Sequence, residues 1–187
     1  RSAQSIVDQA NRFMTRSGYK GKIALAKKSS KGVVIEKNIN DVYVDYRIIN
    51  LSPRFKDGEF FGGVRDDRVT ACRYLEYIAD IAKRNPNKSI MVLCRKNTFL
   101  NHCLSDIEKE IRTYTRAGNN LQVKTIHKSK GEEAEIVIIV NVNKNEFPVY
   151  HPSAGLFSVF GETMNDVVED EEKLYYVALT RAKEQLH

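Results

Sequence analysis

Two continuous apolar runs, Ile90–Cys94 and Ile136–Val140, lie within the expected strands 89–94 and 136–142 and are the strongest constraint on how this chain folds. Both are too short to cross a bilayer, and neither shows the alternation of a strand with one solvated face. Amphipathic segments at helical spacing accompany them at 65–85 and 98–111. Apolar strands that alternate with helices are typical of a parallel sheet covered on both faces. The pattern therefore predicts an α/β fold with a mostly parallel sheet flanked by helices.

The remaining elements follow from the same signals. Apolar residues at helical spacing predict a first helix over 2–14, and we expect a final helix over 169–184. A further strand is expected over 121–126. Between 22 and 63, short β-prone runs alternate with Gly, Lys, Asn and Ser, which predicts irregular strands or hairpins. The segment 143–165 contains two prolines and two glycines, and we expect it to be flexible.

Length and composition are those of an ordinary globular domain. The 187 residues correspond to about one domain, with 42% hydrophobic and 29% charged residues. The chain has no initiator Met and no visible signal segment, so we expect an excised piece of a longer protein. The three cysteines, Cys72, Cys94 and Cys103, lack metal-ligand spacing. They indicate free thiols of a cytosolic protein, with Cys94 in the core.

Positive charge is concentrated in the first half of the chain. Residues 1–95 hold 19 basic and 10 acidic side chains, a net charge of +9, and residues 96–187 hold 11 and 14, a net charge of −3. A basic region of this kind suits a polyanionic partner such as nucleic acid. A solvated basic surface gives the same composition, and charge alone leaves both interpretations open.

A first polar motif, Thr-Ile-His-Lys-Ser-Lys-Gly-Glu-Glu, spans 125–133 directly after a predicted strand. Two lysines, a histidine and two hydroxyl groups are expected to converge on this loop, where they can donate hydrogen bonds to phosphates. Gly131 would let the backbone approach a ligand closely, and Glu133 can accept a hydrogen bond from a ribose hydroxyl. A solvated polar turn explains the composition equally well.

A second motif, Tyr-Val-Ala-Leu-Thr-Arg-Ala-Lys, spans 176–183. On a helix, Arg181 would share one face with Leu174 and Val177. An arginine in line with an apolar stripe either reaches solvent or meets a partner, and a guanidinium aimed at a γ-phosphate is an arginine finger. The alternative is a surface salt bridge, for example to Glu184.

In this order and at this distance, the two segments resemble motifs V and VI of the UvrD/Rep/PcrA group of superfamily 1 DNA helicases. Residues 1–11 are similar to the end of motif IV, and residues 90–97 are similar to motif IVa. The resemblance implies the second of two RecA-like motor domains, without a phosphate loop (P-loop) of its own. The whole chain, 1–187, would then be one C-terminal domain with a β-rich insertion at about 22–63. Little or no accessory domain separates motifs IVa and V, as in compact relatives such as helicase IV.

The resemblance also implies roles for individual residues. Arg1 and Arg181 match arginines that contact the γ-phosphate and serve catalysis, and the ATP-binding set is completed by Gly131, Glu133 and Thr180. Positions near the DNA strand are Arg95, Asn97, Thr125, His127 and Lys128. Three residues depart from the family pattern: Glu132 and Ala134 replace an apolar and an aromatic residue, and Glu172 stands where an arginine is common.

The resemblance implies an ATP-dependent 3′–5′ DNA helicase that acts on single-stranded or partly duplex DNA. The sequence contains neither a Gly-x-x-x-x-Gly-Lys-Ser/Thr loop nor a strand ending in a Mg²⁺-binding Asp-Glu pair. We therefore expect no metal site here. ATP and Mg²⁺ would be used in the intact protein, with Mg²⁺ held by an N-terminal RecA-like domain, and the chain alone would be inactive.

Two other functions remain open from the sequence. One is a domain of a helicase-nuclease subunit, since such enzymes share these motifs. The other is a non-catalytic nucleic-acid-binding module that keeps the fold without the motor. For the helicase we expect a cytoplasmic, nucleoid-associated protein with no membrane partner.

Overall fold

The computed structural model describes residues 2–18, 24–26, 30–38, 65–96, 120–142 and 164–187, with side chains from 73 in the fourth range and from 165 in the last. The helices in these ranges are α1 (Gln4–Arg16), α2 (Arg65–Arg84) and α3 (Met164–Leu179). The strands are β1 (Val33–Val34), β2 (Ile90–Cys94), β3 (Leu121–Thr125), β4 (Ala134–Ile139) and β5 (Ala182–Leu186), and a short 3₁₀ helix spans His127–Ser129.

The five strands form one parallel sheet in the order β1-β5-β4-β2-β3. Strand β2 pairs on both sides, so that Ile90 lies opposite Leu121 of β3 and Ile136 of β4. All five residues of β2 are buried, which explains its continuous apolar run. The predicted α/β fold with a parallel sheet and flanking helices is therefore confirmed.

Helices cover the sheet on both faces and give it two apolar clusters. On one face, Ile90, Val92 and Cys94 pack against Ile78 and Ala82 of α2. On the other face, the buried residues come from β2, β4, β5, α1 and α3, among them Met91, Leu93, Val137, Leu186, Ile6, Ala10 and Ala178. Cys94 is fully buried, as predicted. Alternate residues of β2 thus contribute to opposite clusters, as the pleat requires.

The prediction of a helix over 169–184 is wrong at its C-terminal end. Helix α3 ends at Leu179, and Ala182–Leu186 is a strand between β1 and β4. The segment Ala-Lys-Glu-Gln-Leu has strong local helix propensity. Pairing within the sheet overrides that propensity, because it buries Ala182 and Leu186 and satisfies backbone groups through bonds such as His187 N–H to the Val137 carbonyl at 2.9 Å.

Other predicted elements shift by a few residues or lie outside the described ranges. The helix expected over 2–14 is α1, and the strand expected over 136–142 is β4, which begins two residues earlier and ends at Ile139. Val33–Val34, within the proposed 22–63 insertion, pairs with β5 as an edge strand of the main sheet. The predicted helix 98–111, Cys103, the Cys72 side chain and residues 143–163 are outside the description. None of the described helices has both the length and the apolar character needed to cross a bilayer.

The start of α1 forms hydrogen bonds with β5 and with the segment before β1. Ala3 N–H donates to the Lys183 carbonyl at 2.8 Å, and the Ser5 hydroxyl donates to the Gly32 carbonyl at 2.7 Å. Gly32 lies so close to these groups that an added Cβ would be 2.6 Å from the Ala3 Cβ and 2.8 Å from the Glu184 carbonyl oxygen. The absence of a side chain at position 32 therefore lets α1, β1 and β5 meet.

Replacing Gly32 by Ala should destabilise the chain, because the new methyl group would force these backbones apart. We expect the free energy of unfolding to fall by about 1–3 kcal/mol, the usual cost of overpacking, in urea denaturation followed by circular dichroism. Lys31→Ala, at an exposed neighbouring position, is the control. Equal free energies of unfolding in the two variants would show that the close contacts at Gly32 do not limit the stability of the chain.

Candidate functional site

The predicted site residues that the structure describes fall on two opposite edges of the sheet. Because every strand is parallel, the amino ends of the strands share one edge and the carboxyl ends share the other. Glu133 and Arg181 immediately precede β4 and β5, so they lie at the amino edge. Arg95 follows β2 and Thr125 ends β3, so they lie at the carboxyl edge. A five-residue strand such as β2 separates the two edges by about 16 Å.

The segment 126–133 joins the two edges, and its polar groups do not converge on one loop as expected. It links β3 to β4, and β2 lies between these strands, so the segment crosses a face of the sheet. Ile126 is fully buried in the cluster beneath α1 and α3, which identifies that face. The prediction of convergence was wrong because it treated a crossover between two edges as a turn at one edge.

Burial also removes two hydroxyl groups from the expected set of phosphate donors. Thr125 is buried, and Ser129 is fully buried with its hydroxyl donating to the Ile126 carbonyl at 2.7 Å. His127 and Lys128, on the 3₁₀ helix that follows the carboxyl end of β3, are exposed. Lys130 is exposed as well. Of the expected donors near this edge, the ring of His127 and the ammonium groups of Lys128 and Lys130 are therefore accessible to a ligand.

Gly131 has a φ of +87°, a left-handed conformation that favours glycine. A Cβ added there would meet no atom within 4 Å, so the backbone borders open space. The glycine therefore has two roles available: it reverses the chain before β4, and it leaves room for a ligand next to the exposed Glu133.

Arg181 lies in the turn between α3 and β5, and not on the face of a helix as predicted. Its Nε donates to the Val177 carbonyl at 3.0 Å, its Nη1 donates to the Glu132 carbonyl at 3.2 Å, and its Nη2 lies 3.4 Å from the Thr180 hydroxyl oxygen. These contacts hold the guanidinium between the end of α3 and the segment that leads into β4. The two motifs of the sequence therefore touch through Arg181.

The acceptors around Arg181 are neutral oxygens. In the part of the chain that the structure describes, no carboxylate forms an ion pair with its guanidinium. Glu184, the partner considered from the sequence, instead accepts from Lys88 Nζ at 2.8 Å. The half-buried guanidinium of Arg181 thus keeps its full positive charge available to an anion.

The N-terminal residues that the structure describes also contact the turn that carries Arg181. The Ser2 hydroxyl donates to the Thr180 carbonyl at 3.3 Å, beside the backbone bond that ties Ala3 to Lys183. Arg1 itself lies outside the described residues. What the structure establishes is that its neighbour Ser2 lies beside the turn that carries Arg181.

Two glutamates next to Arg181 are paired with lysines. Lys183 Nζ lies 3.6 Å from a carboxylate oxygen of Glu133, and both side chains are about 40% exposed. Lys124 Nζ, from β3, lies 2.6 Å from the Glu132 carboxylate. The residue pattern did not indicate the Lys124 contact, because it joins residues that become neighbours only when 126–133 crosses the sheet.

Arg95 forms an ion pair with Glu171 at the carboxyl edge. Its Nε donates to Glu171 Oε2 at 2.8 Å and its Nη2 donates to Oε1, which makes a two-pronged ion pair. The side chains are only 19% and 11% exposed. This pair fixes the segment after β2 to α3 and uses Nε and Nη2 of Arg95, while the expected contact between Arg95 and DNA stays a prediction. Asn97 lies outside the described residues.

A family profile for the UvrD-like helicase C-terminal domain matches residues 72–187. The chain belongs to this family. It is 25% identical over 155 residues to the ATP-dependent DNA helicase Rep of Buchnera aphidicola, an alignment that covers 82% of the chain and 21% of that protein.

Other curated relatives resemble shorter parts of the chain. DNA helicase IV of Escherichia coli is 31% identical over 117 residues, covering 60% of the chain and 16% of the relative. The RecBCD enzyme subunit RecB of Borreliella burgdorferi is 25% identical over 126 residues, covering 58% and 11%. The chain therefore spans about a fifth or less of the length of these relatives, and its sheet is the RecA-like α/β sheet of a helicase C-terminal domain.

Removing one partner of the Arg95–Glu171 pair should destabilise the UvrD-like domain. We expect Glu171→Gln to lower the free energy of unfolding by about 3 kcal/mol, because it leaves a mostly buried guanidinium without its counter-charge. Asp80→Asn breaks the exposed Asp80–Arg84 pair on α2 and should cost less than about 0.5 kcal/mol. If urea denaturation gives the same small effect for both variants, the Arg95 pair does not stabilise the carboxyl edge.

Proposed function

We propose that this chain is the C-terminal motor domain of an ATP-dependent 3′–5′ DNA helicase, with ATP at the amino edge of the sheet and DNA at the carboxyl edge. The observation that carries the proposal is the state of Arg181. Its guanidinium is held in place by three neutral acceptors at the amino edge and has no carboxylate partner among the described residues.

A guanidinium in this state suits phosphoryl transfer. Negative charge on a transferring γ-phosphoryl group is spread over its oxygens, and a fixed fork of N–H donors stabilises that charge. A carboxylate already bound to Arg181 would compete with the phosphate, and the described residues provide none. We therefore assign Arg181 the role of arginine finger.

The surrounding groups fit the rest of a nucleotide. Gly131 leaves open space beside the exposed carboxylate of Glu133, which can accept a hydrogen bond from a ribose hydroxyl. Thr180 lies next to Arg181, and Ser2 lies against Thr180. That neighbourhood supports a second phosphate contact by Arg1, which directly precedes Ser2 in the sequence.

We place the groups that bind Mg²⁺ and the β-phosphate outside the part of the chain that the structure describes. The sequence has no phosphate loop, and the described residues hold no group of three or more potential metal ligands. We assign the metal and the phosphate loop to an N-terminal RecA-like domain that completes the ATP site against the amino edge. When bound there, Mg²⁺ would neutralise charge on the phosphates.

DNA is proposed to bind at the carboxyl edge. His127 and Lys128 are exposed there and can contact phosphates of single-stranded or partly duplex DNA, whereas Arg95 shapes the edge through Glu171. Such binding would be sensitive to salt and nearly blind to sequence. The segment 126–133 then connects the DNA-binding edge directly to the acceptor of Arg181. In the cell, the protein would act in the cytoplasm on nucleoid DNA.

Two alternative functions are considered beside the motor domain. The first alternative is a domain of a helicase-nuclease, in which the same sheet would serve the same motor; the chain is also similar to the RecBCD enzyme subunit RecB. A non-catalytic nucleic-acid-binding module is the second alternative. Such a module needs no contact between Arg181 and a phosphate. A substitution of Arg181 therefore distinguishes the module from the motor domain.

The test is Arg181→Ala in the protein that joins this chain to a phosphate-loop domain. We expect DNA-stimulated ATP hydrolysis to fall by about a thousandfold or more in kcat, since the arginine-finger charge is lost. Arg181→Lys, which keeps a charge without the fork, should recover only part of that loss. Arg84→Ala is the control, because Arg84 lies exposed at the end of α2. Wild-type turnover in the Arg181→Ala protein would favour the non-catalytic module.

The purified 187-residue chain should not hydrolyse ATP, with or without single-stranded DNA, because it contains no phosphate loop. The measurement is phosphate release over several hours, with circular dichroism to show that the same preparation is folded. Appreciable turnover that Arg181→Ala abolishes would mean that the chain carries a complete ATP site.

A further inference from the structure

We propose that the ion pair between Lys124 and Glu132 positions Arg181, and that it transmits the state of the DNA-facing edge to the arginine finger. The inference deepens the proposed function and rests on it. Lys124 and Glu132 are positioning residues, since neither is placed against the nucleotide or the DNA.

The pair spans the crossover. Lys124 lies in β3, directly before Thr125 at the carboxyl edge, and Glu132 lies at the other end of the segment 126–133. Lys124 Nζ is 2.6 Å from Glu132 Oε2 and also donates to Gln122 Oε1 at 2.6 Å. The Lys124 side chain is only 17% exposed, so its ammonium is held close to the sheet while the Glu132 carboxylate is 44% exposed.

Glu132 is held at three atoms. Its carboxylate binds Lys124, its N–H donates to the Ser129 carbonyl at 3.0 Å, and its carbonyl accepts from Arg181 Nη1 at 3.2 Å. The carboxylate and the carbonyl belong to one residue, so the ion pair restricts where the carbonyl can lie. A shift of β3 relative to β4 would therefore be passed to the guanidinium through Glu132.

This arrangement depends on the carboxylate of Glu132. An apolar residue at position 132 would leave Lys124 with only the neutral Gln122 oxygen as its described acceptor. With Glu132, a charge-assisted bond joins the crossover to the strand that leads to His127. Glu132 thus supplies a directional link between the crossover and β3.

Loss of the pair should affect turnover and leave nucleotide affinity unchanged. Arg181 as a finger acts on charge that develops in the transition state, so a misplaced guanidinium lowers kcat and spares ground-state binding. In the protein joined to its phosphate-loop domain, we expect Lys124→Met and Glu132→Gln each to lower DNA-stimulated kcat by about tenfold, with KM for ATP unchanged.

The charge-reversed double variant, K124E/E132K, distinguishes a role of the ion pair in positioning Arg181 from a general loss of structure at these two positions. It re-forms the ion pair with opposite polarity, and the amide of Gln122 can then donate where it previously accepted. We expect this variant to recover most of the lost kcat. Lys88→Met is the matched control, because Lys88–Glu184 is also a lysine–glutamate ion pair, at 2.8 Å, and does not involve Glu132.

A second measurement, on the 187-residue chain, does not depend on catalysis. Rotation about the Nε–Cζ bond of Arg181, followed by ¹⁵N NMR of the guanidinium, should be slow in the wild type because Nη1 is bound to the Glu132 carbonyl. Lys124→Met should speed this rotation, the double variant should slow it again, and Lys88→Met should leave it unchanged.

The two measurements distinguish the possible failures. If Lys124→Met changes neither Arg181 rotation nor kcat relative to Lys88→Met, or if the double variant recovers neither, the positioning role is wrong. If Arg181→Ala leaves ATP hydrolysis intact, the proposed function fails, and NMR still decides whether the ion pair orients the guanidinium. Faster Arg181 rotation in Lys124→Met without any change in kcat would overturn the catalytic part of the inference.

Discussion

Pairing of β5 with β4 determines where Arg181 lies. The Arg181 carbonyl accepts from Ala134 N–H at 3.1 Å, and the His187 N–H donates to the Val137 carbonyl at the other end of the strand. These bonds place the turn after α3 at the amino edge, directly beside the end of the 126–133 crossover. Without that pairing, Arg181 would continue along a helix and could not meet Glu132. The contact between the two sequence motifs is therefore a consequence of sheet order.

The parallel sheet also separates the proposed nucleotide site from the proposed DNA site. Groups suited to a nucleotide lie at the amino edge, while His127 and Lys128 lie near the carboxyl edge. One short crossover connects the edges, and buried Ile126 and Ser129 fix its course over the sheet. A motor needs such a connection, because a change at one ligand must alter the other site. In the proposed motor, this connection would be the segment 126–133, which ends on the acceptor of the proposed arginine finger.

The parallel sheet and the helices on its faces were predicted from sequence patterns, because β2 and residues 136–138 of β4 are buried and form uninterrupted apolar runs. The patterns missed β5, where Ala-Lys-Glu-Gln-Leu favours a helix locally and only partner strands reverse that preference. They identified Arg181 through its motif but placed it on a helix. They also took 125–133 for one loop, since the crossing of β2 depends on strand order. The Lys124–Glu132 and Arg95–Glu171 pairs were missed for the same reason.

The most direct test is a crystal structure of this chain joined to its phosphate-loop domain, with a non-hydrolysable ATP analogue and single-stranded DNA bound. We predict a nucleotide at the amino edge, with an Arg181 Nη within hydrogen-bond distance of a γ-phosphate oxygen, and DNA phosphates near His127 and Lys128 at the opposite edge. A nucleotide bound away from that edge, with Arg181 still donating only to the Val177 and Glu132 carbonyls, would contradict the account.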